Sequence, residues 1–350
     1  MAEKVLMKGN EALAEAAIIA GCRHYFAYPI TPQNEIPAYM ALRMPKVGGT
    51  FLQAESEIAS INMVFGASAA GARVMTSSSS PGISLKQEGI SYLAGAELPA
   101  VIVNMMRGGP GLGNIAGSQA DYFQATKGGG HGDFHLIVLA PGTVQEMADL
   151  TVLAFDLADE YRMSVMILGD GFLGQMSEPL VLPEPTGKTY DKSDWALTGA
   201  KGRDPRIVYS LRLNPEHALE ELNIKIQKKY DVIKAKEVRY DTYMADDAEY
   251  LLVSFGTSSR LCRTAVNILR KEGIKVGLFR PITLWPFPYE ELKGYAGKAK
   301  RVLSVEMNAG QMAEDIRLAL GGDKPVDVYG KMGGVVPVVD EIVEKVRSYG

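Results

Sequence analysis

Three short stretches of this chain hold side chains whose type and spacing could do chemistry. In Tyr28-Pro29-Ile30-Thr31-Pro32-Gln33-Asn34-Glu35 a single threonine hydroxyl stands between two prolines. Proline fixes φ, removes an amide donor and pushes the residue before it toward extended backbone. Thr31 is restricted by Pro32, and Ile30 lies between two stiffened positions. Such a loop is either a binding edge that fixes a hydroxyl or only a turn. Glu57 follows an extended run and stands near the start of a helix, where the macrodipole stabilises a carboxylate. Glu55 competes for that role and leaves Glu57 free for proton chemistry against a ring nitrogen, its pKa tuned by burial. Arg107 ends an apolar run and is followed by glycines, so its guanidinium can offer a bidentate fork to a small carboxylate or pair with a nearby Asp or Glu.

Other signals are weaker. Gly111-Leu112-Gly113-Asn114-Ile115-Ala116 fits a loose dinucleotide fingerprint, with Asp133 about 20 residues on. Pro110 lies in the turn, Asn114–Ala120 lacks helical periodicity, and Asp133 precedes its strand, all of which weigh against an NAD-dependent dehydrogenase. No Walker loop is present. Ser77–Ser80 lack a nucleophile elbow and a matched His–Asp pair, which leaves a hydrolase triad poorly supported. His131, among glycines, is either a base or a hydrogen-bonded structural histidine.

The elements that must position these residues alternate between strand and helix. Helical spacing covers Lys8–Ala20, Asn34–Arg43, Glu55–Gly71 and Thr143–Tyr161, with a helix restarting near Leu85. Extended runs fall at Tyr25–Tyr28, Thr50–Gln53, Val74–Thr76, Ala100–Met105, Leu136–Leu139 and Ser164–Leu168. This alternation predicts a parallel, doubly wound sheet whose loops gather at one edge. Residues 1–185 are expected to form that domain, and 186–247 a connector with one amphipathic helix. In that helix Leu219, Leu222, Ile226, Tyr230 and Ile233 share a face, while the lysines form a solvated one. Residues 248–350 carry a second α/β block, with strands at Tyr250–Phe255, Lys275–Phe279 and Arg301–Val305 and helices at Ser258–Glu272, Tyr289–Tyr295, Gln311–Leu320 and Val338–Val346.

A chain of 350 residues, 47% apolar and 22% charged, is an ordinary globular protein comfortable as two domains. A net charge of −4 gives no electrostatic reason to expect nucleic acid or an anionic membrane. Cys22 and Cys262 are isolated from each other and from the histidines, so this chain alone cannot build a cysteine-ligated cubane cluster. Glu3, Glu11 and Glu15 interrupt any signal-peptide core, and no uncharged apolar run reaches the roughly 18 residues of a membrane span. The expected location is the cytoplasm.

Taken together the loops resemble one family. Gly9–Ala12 (Gly-Asn-Glu-Ala), Tyr28–Pro32 (Tyr-Pro-Ile-Thr-Pro), Glu55–Ala59 (Glu-Ser-Glu-Ile-Ala), Pro81–Leu85 (Pro-Gly-Ile-Ser-Leu), Arg107–Pro110 (Arg-Gly-Gly-Pro) and Gly129–Asp133 (Gly-Gly-His-Gly-Asp) occur in order. The chain is similar over nearly its whole length to the alpha subunit of 2-oxoacid:ferredoxin oxidoreductases, and its second block to the transketolase C-terminal domain. The resemblance implies thiamine diphosphate as cofactor. It implies that Glu57 hydrogen-bonds the aminopyrimidine N1′, favouring the tautomer that removes the thiazolium C2 proton, and that Thr31 and Arg107 hold the substrate's oxo and carboxylate groups. Pro29, Ser79 and Gly82 are then expected beside the cofactor. It further implies that a partner beta subunit holds the diphosphate, Mg2+ and a [4Fe–4S] cluster, with a gamma subunit, a ferredoxin-like delta subunit, ferredoxin and coenzyme A completing the system.

Gly111-Leu112-Gly113-Asn114 departs from the Ser-Thr-Gly pattern that follows the arginine in many pyruvate and 2-oxoglutarate members. The chain most resembles the branched-chain (2-oxoisovalerate) type. A glutarate side chain would want a second cation, and these loops add none, although a partner can supply one. Pyruvate and 2-oxoglutarate remain alternatives, as does a scaffold subunit that has lost the chemistry.

Overall fold

The computed structural model describes residues 3–322 and 324–350. The first half runs β1 (Val5–Lys8), α1 (Gly9–Ile19), β2 (His24–Ala27), α2 (Glu35–Arg43), β3 (Thr50–Gln53), α3 (Glu57–Ala69), β4 (Val74–Ser78), α4 (Ser80–Gly95) and β5 (Ala100–Met106). It continues through α5 (Tyr122–Thr126), β6 (Ile137–Leu139), α6 (Val144–Tyr161), β7 (Ser164–Asp170), α7 (Gly171–Gln175) and β8 (Ser177–Leu180). The second half holds α8 (Ala218–Lys236), β9 (Tyr240–Tyr243), β10 (Tyr250–Val253), α9 (Gly256–Lys271), β11 (Val276–Pro281) and β12 (Thr283–Trp285). It ends with α10 (Tyr289–Lys298), β13 (Arg301–Glu306), α11 (Gln311–Leu320), β14 (Val326–Gly330) and α12 (Val339–Arg347).

Local chemistry sets several boundaries. Ser56 caps α3 by accepting from the Ala59 amide at 3.1 Å, so the helix starts at Glu57 and leaves Glu55 outside. Thr143 caps α6 in the same way, and Asp170 caps α7 through the Phe172 and Leu173 amides. Helix α4 begins at Ser80, earlier than Leu85, because Pro81 in its first turn has no amide to leave unpaired. Strands β4, β5 and β7 are buried along their whole length, as parallel strands covered on both faces must be.

The large sheet has the order β12-β6-β7-β5-β4-β2-β3. Strands β2 to β7 run parallel to their neighbours, and β12 joins β6 antiparallel. From β2 the chain steps outward to β3 and then back across to β4. The strand order therefore reverses between β2 and β4, and the crevice beyond their carboxyl ends is where open α/β sheets bind ligands. A five-stranded sheet, β14-β13-β10-β11-β9, is parallel except for β9, and β1 and β8 form a small antiparallel ribbon. The doubly wound α/β class is as the alternation predicts.

Two strands cross the expected boundaries. Strand β9, inside the stretch read as connector, pairs with β11, and β12, inside the second block, completes the first sheet. Both are short antiparallel edges with little apolar pattern. In α8 Leu222, Ile226, Tyr230 and Ile233 are buried as expected, but Leu219 in its first turn is 50% exposed. Its lysines are not all solvated, since Lys229, with a side chain 16% exposed, pairs with Glu97 at 2.8 Å; Lys225 reaches the same carboxylate at 2.5 Å but stays 62% exposed. Gln119, fully buried, joins the two sheets. Its Nε2 donates to Phe255 O (2.7 Å), and its Oε1 accepts from Ser258 Oγ (2.9 Å) and the Met307 amide (3.0 Å). Cys22 and Cys262 are both free and buried, and burial pushes their thiols up to about 12. No helix among the described residues is long and apolar enough to cross a membrane.

Candidate active site

The loop leaving β2 is held from beneath by side chains. Asn10 Nδ2 donates to Pro32 O at 2.9 Å and Gln175 Nε2 to the same carbonyl at 3.2 Å. Gln33, fully buried, accepts from Ser77 Oγ at 2.5 Å, and that serine also bonds the Tyr25 hydroxyl at 2.5 Å. The prolines thus sit on a polar foundation, with Tyr28 and Pro29 exposed on the rim. Thr31 Oγ1 accepts from Asn34 Nδ2 at 3.2 Å, and its own proton has no acceptor among the described residues.

Arg107 stands at the end of β5, only 8% exposed. Its Nη1 donates to Thr31 O and its Nη2 to Leu112 O, both at 3.0 Å, while Nε has no partner among the described residues. The two ends of the guanidinium are thus fixed by backbone carbonyls, and the charge has no acidic partner among the described residues. The Arg107 amide donates to Ser80 Oγ at 3.0 Å, and Ser80 donates to Asp121 Oδ2 at 2.6 Å. Asp121 also accepts from Asn104 Nδ2 at 2.9 Å, and burial raises its carboxyl above the usual range against those two hydrogen bonds. The motifs did not single out Asp121, because an aspartate before a short helix reads as a cap.

Glu57, in the first turn of α3, is 6% exposed, and its carboxylate accepts no hydrogen bond among the described residues. Its neighbour across the helix pair is Gly82, where a Cβ would fall 2.6 Å from Glu57 Oε1 and 2.0 Å from Ser78 Oγ. No larger residue fits, so Gly82 is a steric requirement of the carboxylate. Ser78 Oγ and Ser79 Oγ are buried in the same turn without partners among the described residues. A second residue absent from the expectations is Lys86, fully buried on the face of α4 that carries Gly82.

The β4–α4 turn therefore organises the site. Ser78 and Gly82 flank Glu57, Ser80 fixes Arg107, and Arg107 reaches Thr31. Glu57, Thr31, Arg107, Ser79 and Gly82 come together at the switch point of the sheet. His131 does not join them. It is exposed and lines a hollow with Tyr92 and Arg212 toward the other end of α4. The loose dinucleotide loop is a turn with Gly111 and Gly113 at φ 72° and 58°, and Asn114–Ala120 forms no helix. That loop is docked on the second block, with Asn114 Nδ2 donating to Gly333 O at 2.6 Å.

The Glu57 carboxylate, the Ser78 and Ser79 hydroxyls and Arg107 Nε, none with a partner among the described residues, lie around one turn. The sequence matches the model of the family described as pyruvate flavodoxin/ferredoxin oxidoreductase, thiamine diP-bdg, over residues 15–243, and the pyruvate:ferredoxin oxidoreductase core domain II over residues 248–342. The chain belongs to this thiamine-diphosphate-binding oxidoreductase family. It is 53% identical to the ketoisovalerate oxidoreductase subunit VorB of Methanothermobacter thermautotrophicus, covering 98% of this chain and 97% of that one. It is 39% identical to the 2-oxoglutarate synthase subunit KorA of Archaeoglobus fulgidus, covering 99% of each. Among solved structures, the 2-oxoglutarate:ferredoxin oxidoreductase from Magnetococcus marinus superposes with a TM-score of 0.88 at 28% identity. That match takes in 99% of this chain and 65% of that longer one. A split-gene transketolase, at 14% identity and a TM-score of 0.59, shares the fold.

Proposed function

We propose that this chain is the alpha-type subunit of a heteromeric 2-oxoacid:ferredoxin oxidoreductase. With its partners it converts 3-methyl-2-oxobutanoate oxidatively to the branched acyl-CoA and CO2 and passes the electrons to ferredoxin. The observation that carries this reading is the placement of Glu57 and of the Arg107–Thr31 pair on the two sides of one turn. Thiamine diphosphate, when bound, supplies the electron sink for loss of CO2.

The chain's own residues do the rest. Glu57 holds and returns a proton at the pyrimidine N1′, and the lack of any internal partner for its carboxylate fits that task. Gly82 keeps the space beside Glu57 Oε1 open, and the Ser79 hydroxyl, buried without a partner, fits a polar group of the cofactor. Pro29 forms the exposed rim of the pyrimidine edge. Arg107 offers Nε and its remaining N–H groups to the substrate carboxylate, while Thr31 Oγ1 donates to the 2-oxo group.

In this reading a beta subunit brings the diphosphate and Mg2+ site and a [4Fe–4S] cluster, gamma and delta subunits complete the complex, and the assembly works in the cytoplasm. The preference for a branched oxoacid is supported by the relative at 53% identity and by the absence of added lysine or arginine in the loops around Arg107. The test is an oxoacid panel on the purified complex, followed by viologen reduction with coenzyme A. The expected order of kcat/KM places 3-methyl-2-oxobutanoate above pyruvate and 2-oxoglutarate. A preference for 2-oxoglutarate would overturn the substrate assignment and leave the reaction class standing. The isolated chain is expected to bind thiamine diphosphate weakly, because half of the site lies on the partner.

A further inference from the structure

Helices α3 and α4 pack in layers. Gly82 lies against Glu57, and one layer further along Gly89 lies against Ile61, where a Cβ would come within 2.5 Å of Ile61 Cγ2. Between these two close approaches sits Lys86, fully buried. Its Nζ donates to Ser60 Oγ, and that hydroxyl donates onward to Glu57 O at 2.9 Å. Side chains on a helix lean toward its N-terminus, so Lys86 leans along α4 toward Gly82 and hence toward Glu57. Among the described residues the amine has no other hydrogen bond and no ion pair.

A lysine in this position is costly unless its charge does something. Burying an ammonium with one hydroxyl as acceptor is unfavourable, and methionine would fill the same volume without that penalty. The surrounding groups narrow the possibilities. Glu57 on α3 is the charge whose field reaches Lys86. Tyr25 of β2 is tied to Ser77, Asp121 is held by Ser80 and Asn104, and Glu88 of α4 points outward to Tyr92.

We infer that Lys86 is a positioning residue for Glu57. Its ammonium, tied through Ser60 to the backbone carbonyl of Glu57, keeps the carboxylate ionised when a ring covers it, so that the carboxylate can accept a proton from N1′ and return it. The inference rests on the thiamine reading above and adds to it the residue that sets the charge of the acid–base group. A carboxylate sealed under a heterocycle with no counter-charge would take up a proton and keep it. With Lys86 protonated beside it, the buried pair is neutral overall. Burial lowers the Lys86 amine to about 7, and the negative charge of Glu57 is the influence that opposes the fall.

The test compares the assembled complex carrying wild-type, Lys86→Met or Glu57→Gln chains. Two quantities are read across pH: the affinity for thiamine diphosphate by calorimetry, and hydrogen–deuterium exchange at C2 of the bound cofactor after acid quench. For Lys86→Met the acid limb of the exchange profile is expected to move up by about one pH unit or more. On that limb the shift corresponds to about a tenfold slower exchange, while cofactor affinity stays within about threefold. A Lys86→Met profile that superimposes on wild type, while Glu57→Gln loses exchange, would overturn the role of Lys86 alone. If Glu57→Gln exchanges as fast as wild type, the thiamine reading itself fails. Should Lys86→Met not assemble, Ser60→Ala removes the acceptor of the ammonium and is expected to move the limb in the same direction by less; an unmoved limb there also overturns the inference.

Discussion

The guanidinium of Arg107 donates to the backbone carbonyl of Thr31 at 3.0 Å, so the arginine holds the very loop whose hydroxyl stands beside it. Arg107→Met removes the fork and this strut together. A charge-assisted hydrogen bond is worth about 1.5–3 kcal/mol, so kcat/KM for the oxoacid is expected to fall by roughly 10–100-fold, mainly through KM. Steady-state viologen reduction on the complex measures it, and Arg107→Lys should not restore it, because a point charge cannot bridge Thr31 O, Leu112 O and a carboxylate at once. An unchanged KM would assign Arg107 to loop support alone.

Gly82→Ala places a methyl group 2.6 Å from Glu57 Oε1 and 2.0 Å from Ser78 Oγ, so the carboxylate must move. The expected result is a loss of about 1–3 kcal/mol of stability and a steep loss of cofactor binding in the complex. Gly66→Ala, also a glycine-to-alanine change but on the exposed side of α3 with nothing within 4 Å, serves as the control. It is expected to gain up to about 1 kcal/mol from helix propensity. Thermal melts of the two variants would contradict the steric account if they moved together.

Lys86 predicts a pH dependence of stability with a definite sign. Its pKa is about 7 in the folded chain against an ordinary value of 10.5, so between those limits the unfolded chain carries a proton that the folded chain lacks. Stability contributed by this group therefore rises with pH across that window, by at most ~1.4 kcal/mol per unit, and the full penalty applies below it. Lys86→Met is expected to be the more stable form at neutral pH, with the difference shrinking as pH approaches 10. Urea midpoints at several pH values measure it. A constant difference would mean that the lysine keeps an ordinary pKa.

Gln119→Ala leaves Phe255 O, Ser258 Oγ and the Met307 amide without the partner that the side chain provides between the sheets. Phe255 O and Ser258 Oγ keep each other at 2.9 Å, so the Met307 amide is the group orphaned, at about 1–3 kcal/mol. The expected loss is of that size, with the second sheet unfolding before the first. Proteolysis releasing a fragment from the C-terminal side would show it, and a single unchanged transition would rule it out.

Parts of this architecture were legible from residue order. β3 and α11 begin and end where the apolar spacing places them, and the loops after β2, β4 and β5 were expected to share an edge because parallel sheets gather them there. Glu57 and Arg107 could be singled out because each follows a strand with small residues nearby. Lys86 could not. In Leu85-Lys86-Gln87-Glu88 a lysine reads as part of a solvated face, and only the close approach allowed by Gly82 and Gly89 turns it inward. Asp121 and Gln119 were hidden for a related reason, since their partners lie far along the chain and no local spacing marks them. Strands β9 and β12 are edges whose pairing is decided by the partner strand and not by their own pattern.

The Gly333–Gly334 turn has consequences for any attempt to move this site to another scaffold. Gly334, at φ 87°, comes so close to Ala116 that a Cβ would stand 2.7 Å from its methyl group, and Gly333 O anchors Asn114. Asn114 belongs to the loop whose Leu112 carbonyl steadies Arg107. A minimal transplant of the first sheet with its three loops would bring the arginine but not the bracket behind it. The smallest portable unit includes a two-glycine turn 219 residues downstream of Asn114.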